Sequence, residues 1–417
     1  MDFQTISDWI EAHVEEMIDL QAELTRRPAV GPENGGAGEW EKARFLEGYL
    51  RDHGMHRIEH LDCPDERVPE GSRPNIVATI PGLRDRPRVW VLTHLDVVPP
   101  GERDADGSWK GWESDPFELR RSGDTLVGRG VIDNQQSMVA ATFAARAFLE
   151  SGLEPAHTVK LLFVSDEEVG SRYGLKHVLA EHAHLFDAED AIIVPDGGNE
   201  DGSMIEVAEK SVLWLEFRVL GKQAHGSMPD RGRNAFRAAC RLVGLLDERL
   251  HAQFDRSDDL YDPPLSTFEP TLHAANVPNV NTIPGEDVFC FDCRVLPEYG
   301  LDSVLDCVRG ACREVDESSG TETELRVRNR LDAPPPTPPD SAVVRLLSSA
   351  VRGVLGVEPR AMGIGGMTVA ADFRTAGLAA AVWMTSAGSE HQVNEACRVA
   401  DMLGDARVLA RVFCTEI

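Results

Sequence analysis

Basic charge is scarce in this sequence. Six lysines, and 42 basic residues in all, stand against 70 acidic ones, for a formal charge of −28. Such an excess repels nucleic acid and anionic membrane surfaces and argues against both as partners. An acidic, lysine-poor surface spread along the whole chain is the composition expected of a halophilic protein, whose self-repulsion is screened by high salt. Cysteine is sparse too, and eight in 417 residues make no disulfide framework. The one C-x-x-C, Cys290 and Cys293, falls in a stretch of strand character, where residues three apart face opposite sides and do not chelate together. No apolar run approaches the length of a membrane span. The opening M-D-F-Q-T-I-S-D-W-I lacks both the basic and the apolar segment of a secretory leader. A soluble cytoplasmic protein is the expectation. What the sequence does have is 42% hydrophobic residues, ample for a core and too long a chain for only one.

Apolar residues at helical spacing (Ile6, Ile10, Val14, Met17, Ile18, Leu24) predict one helix over Thr5 to Arg27, stopped by Pro28. A glycine-rich turn leads to a second helix, Glu39 to His53. Strands then alternate with helices: Ile76 to Ile80, Val89 to Leu92, a helix from Gln135 to Ser151, Val159 to Val164, and Ala191 to Val194. That alternation predicts an α/β layer with a mostly parallel mixed sheet. After Glu209 the order becomes β-α-β-β-α-β, ending with a strand from Thr321 to Arg328, which is the ferredoxin-like sequence of elements. The proline run L-D-A-P-P-P-T-P-P-D, 331 to 340, reads as a stiff connector. Helix and strand patterns then resume. The smaller domain, 210–329, is therefore expected as an insertion into a larger one made of 1–209 and 330–417.

The stretch V-W-V-L-T-H-L-D-V-V-P-P-G, from Val89, joins a buried strand to candidate ligands. His94 and Asp96 are two residues apart, so on an extended chain they face one space, and a carboxylate beside a histidine fixes its tautomer. Asp133, Glu167 with Glu168, and Asp196 come at other strand ends, and His391 follows late in S-A-G-S-E-H-Q-V-N-E. In open α/β sheets, ligands sit outside the carboxyl ends of strands. Carboxylates converging on one cleft need cations to neutralise them, and histidines among them favour zinc, cobalt or manganese over calcium or magnesium. Two histidines and three carboxylates suffice for two metals if one carboxylate bridges. Adjacent glutamates at a strand end are expected to point in opposite directions.

In order along the chain, T-H-L-D-V-V-P, G-R-G-V-I-D-N, S-D-E-E-V-G-S and P-D-G-G resemble the motifs of the M20 family of metallopeptidases and amidohydrolases. That family includes acetylornithine deacetylase, succinyl-diaminopimelate desuccinylase, aminoacylase and glutamate carboxypeptidase. The resemblance spans essentially the whole chain. It implies a zinc-peptidase-like catalytic domain and an inserted ferredoxin-like lid that forms a homodimer. Position by position, it implies one divalent ion, Zn2+ with Co2+ or Mn2+ as alternatives, held by His94, Asp133 and Asp196. A second would be held by Asp133, Glu168 and His391, with Glu167 as general base and Asp96 orienting His94. G-K-Q-A-H-G-S-M-P-D-R-G-R-N-A resembles the lid motif whose histidine, here His225, reaches the partner subunit's site and donates to the oxyanion. A turn histidine before Gly226 is the alternative. Asn281 of N-T-I-P and Arg294 of F-D-C-R match substrate-carboxylate positions, with a surface ion pair as the alternative for Arg294. G-I-G-G-M-T implicates Gly366 and Thr368 in receiving a carboxylate on a glycine-rich loop. His177 and His273 have no motif behind them and read as structural.

The chain departs from the family pattern at Gln135-Gln136, where many relatives have Lys-Gly, and at V-A-A-D-F-R, where Thr-Asp-x-Arg is usual. The leading expectation is a two-metal amidohydrolase acting on a succinylated or acetylated amino acid. A dipeptidase or carboxypeptidase on the same machinery is the alternative. A non-catalytic metal or peptide binder would have no need of Glu167.

Overall fold

The computed structural model describes residues 3–417; Met1 and Asp2, part of the leader reading, lie outside the described residues. The chain forms two compact units, one of Met1–Val207, Thr337–Ala361 and Thr368–Ile417, the other of Ala208–Pro336 with Met362–Met367.

The first unit is built on a mixed sheet. In spatial order its strands are Ile58–His60, Ile76–Ile80, His157–Val164, Arg84–His94, Ala191–Asn199, Ala380–Thr385, Met204–Glu209 and Arg360–Ile364. The four in the middle run parallel. Val89 to Leu92 are each about 1% exposed, because a central parallel strand is covered on both faces and must be apolar throughout. One face is covered by the Gln135–Ser151 helix, buried without interruption from Gln135 to Phe148 and packed on the Val399–Phe413 helix. The other face packs against the Leu175–His182 and Ala370–Thr375 helices around Trp90, Phe186 and Phe373.

The single amino-terminal helix expected from periodicity is two, Phe3–Ala12 and Val14–Thr25. The break is His13, at φ −109° and ψ 20°. Its ring stacks on Trp9 at 3.8 Å and its Nδ1 lies 2.7 Å from the Trp9 carbonyl. A polar ring on the helix competes for a backbone acceptor there and tilts the last turn, which apolar spacing alone does not register.

The second unit is a four-stranded antiparallel sheet in the order Thr267–His273, Glu286–Val295, Ser211–Leu220, Glu322–Leu331. The Ala235–Gln253 and Leu301–Ser319 helices cross it in ferredoxin-like order. Its core alternates as a one-sided sheet requires: Leu213, Leu215, Phe217 and Val219 face inward with Phe289, Phe291 and Cys293. Cys290 falls on the other face, where Arg328 Nη1 lies 3.9 Å from its sulfur. Burial pushes the Cys293 thiol up to about 12. Among the described residues no helix is long and apolar enough to cross a membrane.

Candidate metal centre

Parallel pairing gathers the candidate ligands. His94 aligns with Val164, and Val91 with Ile193, so the chain leaves three neighbouring strands on the same edge. His94 is the last residue of its strand, Glu167-Glu168 follow the strand end at Val164, and Asp196 lies within the Ala191–Asn199 strand, three residues past Ile193 as His94 is past Val91. Asp133 arrives from the turn ahead of the Gln135–Ser151 helix, and His391 from the loop after the Ala380–Thr385 strand.

The geometry is divided about one carboxylate. Asp133 Oδ1 lies 2.9 Å from His94 Nε2, and Asp133 Oδ2 lies 3.0 Å from His391 Nε2. His94 Nε2 is also 3.3 Å from Asp196, and His391 Nε2 is 3.0 Å from Glu168. Two donor sets, His94 with Asp196 and His391 with Glu168, thus share Asp133 through its separate oxygens. Nitrogen and carboxylate donors in two sets joined by one bridging carboxylate fit a pair of divalent cations. Glu167 stands with the first set: ligand atoms of His94, Glu167 and Asp196 all lie within 4.8 Å of one another.

Buried charge sets the electrostatics. Burial opposes a charged ring at His94, yet Asp196, Asp133 and Asp96 together hold its pKa well above the ordinary value. Hydrogen bonds to Asp133 and Glu168 raise His391 to about 10. Burial pushes Glu168 up to about 7 against the hydrogen bond with His391. Burial, then Asp196, drives Glu167 well above the usual carboxylate range. Asp133 is held low by His391 and His94 despite its burial.

Two expectations change in form. Glu167 and Glu168 lie in a 3-10 turn, Glu167–Val169, not on successive strand positions. Glu167 goes to the His94 and Asp196 side and Glu168 to His391. Asp166 enters that turn in the left-handed region, at φ 66°, and His391 is left-handed as well, at φ 63°. Non-glycine residues held there cost about 1–3 kcal/mol each and gather at working sites. For Asp96, it is the main-chain oxygen that His94 Nδ1 meets, at 3.0 Å, with the carboxylate at 3.5 Å. The carboxylate accepts the N–H groups of Glu167 and Glu168, both at 3.1 Å. Asp96 therefore sets the turn that carries the twin glutamates.

Three contributors were not legible as site residues. Glu395, 1% exposed, accepts from Arg129 and Gly130 N on one oxygen and from Ile132 N and Asp133 N on the other. Asn134 donates to Asp196 at 2.6 Å and to the Pro195 carbonyl at 2.7 Å. Buried Lys42 donates to the Leu95 carbonyl, and burial brings its pKa down to about 8 against the pull of Asp96 and Glu39. A signal existed for Lys42, which lies one turn before Leu46 on the buried stripe of the Trp40–Asp52 helix. For Glu395 the signal was its place in the same string as His391.

Gln136, a departure noted above, ties its helix to the last one: its amide donates to Asp405 and to the Thr385 carbonyl, both at 2.8 Å. Thr25 donates to Gln135. Burial pushes the Asp405 carboxyl up to about 7 despite hydrogen bonds from Thr385 and Gln136. The unfolded chain releases that proton near pH 4 and the folded chain only near 7, so this group's contribution to stability falls as pH rises through that window and is flat above it. Asp405→Asn removes the titration. Relative to the unmodified protein it gains up to about 4 kcal/mol between pH 4 and 8, read from urea melts at the two ends. Parallel stability curves would refute this.

In the second unit His225 is exposed, its Nδ1 2.8 Å from Ser227 Oγ, and the main-chain carbonyl of Asn281 accepts from Gly226 N, the residue after the Ala224–His225 strand. Arg294 grips Asp292 bidentately and donates to the Gly365 carbonyl at 2.8 Å. Gly366 is half-buried, with only Ile364 near the position a Cβ would take. In the first unit Thr368 Oγ1 lies 3.5 Å from Glu206. His177 meets His182 edge-on, and His273 binds Asp287 at 2.9 Å.

The sequence model of peptidase family M20/M25/M40 matches residues 90–415. An uncharacterised metallohydrolase of Methanocaldococcus jannaschii is 34% identical over 413 residues, covering 96% of this chain and 99% of its own. The succinyl-diaminopimelate desuccinylase of Gluconacetobacter diazotrophicus is 28% identical over 388 residues, 93% of each chain. Among solved structures, human carnosine dipeptidase 1 superposes with a TM-score of 0.74 at 17% identity, over 99% of this chain and 98% of its own. That last likeness is one of fold.

Proposed function

The chain is a metallohydrolase belonging to peptidase family M20/M25/M40, and on that premise we propose that it removes the acyl group from an N-acyl amino acid. The substrate class is that of a succinyl-diaminopimelate desuccinylase or an acetylornithine deacetylase. The observation that carries this reading is Asp133, which divides its two oxygens between His94 and His391 with Glu167 alongside. His94, Asp133 and Asp196 would hold one divalent cation and Asp133, Glu168 and His391 the other. Bound there, the pair would supply Lewis acidity toward the amide carbonyl and make water acidic enough to attack near neutral pH.

The chain's own residues do the rest. Glu167 takes the proton of the attacking water and returns it to the departing amine, a role suited to a carboxylate made more basic by burial. Asp96 holds Glu167 and Glu168 by their backbones. Glu395 fixes Asp133, and Asn134 fixes Asp196. To the second unit we assign substrate-facing roles: His225 as a donor to the oxyanion, and Asn281, Arg294 and Gly366 as holders of the substrate carboxylate, joined by Thr368 of the first unit.

The test is a metal-by-substrate panel in molar salt. Protein stripped of metal and reloaded with zinc, cobalt or manganese is offered N-succinyl-diaminopimelate, N-acetylornithine and dipeptides. Amine release from one acyl amino acid alone is the expected result. Preference for dipeptides would replace this reading by a dipeptidase on the same centre. Equal stability with and without molar salt would remove the halophilic reading.

The second unit is proposed as the homodimer interface. Thr267–His273 is an edge strand with Leu272 48% and Phe236 of the adjacent helix 44% exposed, and such an edge pairs readily across a two-fold axis. Sedimentation at working concentration is expected to give a dimer; a fully active monomer would contradict it.

A further inference from the structure

The Ala235–Gln253 helix begins against its own electrostatics. Arg233 precedes it, Arg237 is in its first turn, Arg241 follows one turn later, and the first turn holds no acidic residue. A helix N-terminus carries partial positive charge, so cations stacked there destabilise it. Most arginines of this chain are paired, as Arg218 is with Glu286 and Glu324, and Arg330 with Asp302 and Asp332. Among the described residues none of these three guanidinium groups has a carboxylate within 4.0 Å. In a chain with a formal charge of −28, three unpaired arginines on one face are a local reversal of the field.

They line one cavity of about 360 Å³, with Asn234, Ser318 and Ser319 on its wall and no acidic residue among its lining. The Ser319 hydroxyl is buried and has no hydrogen-bond partner in the protein. A buried hydroxyl left unpaired is unfavourable, so the same wall that holds excess positive charge also holds an unused donor. The volume lies at the lower end of sites for small organic ligands. Guanidinium forks match the oxygens of a phosphoryl group.

We propose that this cavity binds a small phosphorylated molecule, its phosphoryl oxygens held by Arg233, Arg237 and Arg241 with Ser319 as a further donor. The site is independent of the amide chemistry proposed above. Both helices that form it bury their apolar faces in the core of the second unit, so the arginines are free to change without loss of packing.

The experiment uses the full-length protein, with sodium orthophosphate and glycerol 3-phosphate as probes and chloride at matched ionic strength as the control. Both phosphates are expected to raise the melting temperature above that in chloride. Tighter binding of glycerol 3-phosphate identifies a phosphorylated metabolite, and equal binding identifies free phosphate. In Arg237→Gln/Arg241→Gln the affinity should fall roughly tenfold for each arginine removed. In chloride alone that double variant should melt no lower than the unmodified protein, because two like charges leave the helix start. Stabilisation of the unmodified protein by phosphate no greater than by chloride would overturn the proposal. So would equal stabilisation of the variant, or a raised KM for the amide substrate in phosphate-free buffer, which would assign the arginines to that substrate.

Discussion

Glu167→Gln is expected to lower kcat by about 10³, within the range of about 10² to 10⁴ that general acid–base catalysis contributes, while two metal ions per chain remain bound. The amide keeps the shape of the carboxylate and removes its capacity to take a proton. The turn should hold, because its anchor is Asp96 bonding to the backbone of Glu167 and Glu168, not to the side chain that changes. Metal analysis beside steady-state kinetics separates the possibilities. Loss of one metal would make Glu167 a ligand of the His94 and Asp196 set, to which it lies close enough. Unchanged kcat with both metals present would remove it from the chemistry.

The second large effect is structural and falls on Glu395. Its two oxygens serve four donors, the Arg129 guanidinium and the N–H groups of Gly130, Ile132 and Asp133. Glu395→Gln keeps the volume but turns one acceptor into an NH₂ group facing donors, and leaves the buried Arg129 without its countercharge. Breaking a buried pair on one side costs about 3–5 kcal/mol, so the urea midpoint should fall markedly. Because the lost bonds hold the Asp133 loop, metal affinity should fall with it. A variant within 1 kcal/mol of the unmodified protein by urea melt, at unchanged metal content, would show that the loop holds itself.

How much of this could be read beforehand follows from the kind of residue involved. Val89 to Leu92 announce a central strand because nothing polar interrupts them, and His94 announces its end. The parallel order of the strands then brings distant motifs together without further information. Buried polar residues are different. Asn134 looks in the sequence like a surface residue, and Lys42 and Glu395 carry only the weak signals of an apolar helix stripe and of the string around His391. Their donors and acceptors, distant along the chain, are what show that they are inside. His13 breaks a helix whose apolar spacing is continuous, since the cause is a ring reaching back to Trp9. The fork of Arg294, expected to face a substrate, holds Asp292 and Gly365 in this structure. An i, i+2 pair on a strand shares one face, but sequence does not say whether such a pair bonds to itself or to something else.

The first unit is discontinuous, leaving off at Val207 and resuming at Thr337. A chain emerging from the ribosome is made from its amino end, and compact units form as their parts are delivered. The second unit has all four of its strands once Leu331 has been made. The first, though begun earlier, still lacks the Ala380–Thr385 strand that pairs with Ala191–Asn199. Through that interval the nascent sheet keeps an open parallel edge and a cluster of carboxylates without His391. The larger and older unit is thus finished last. Proteins that shield exposed edges during translation would find their longest task there.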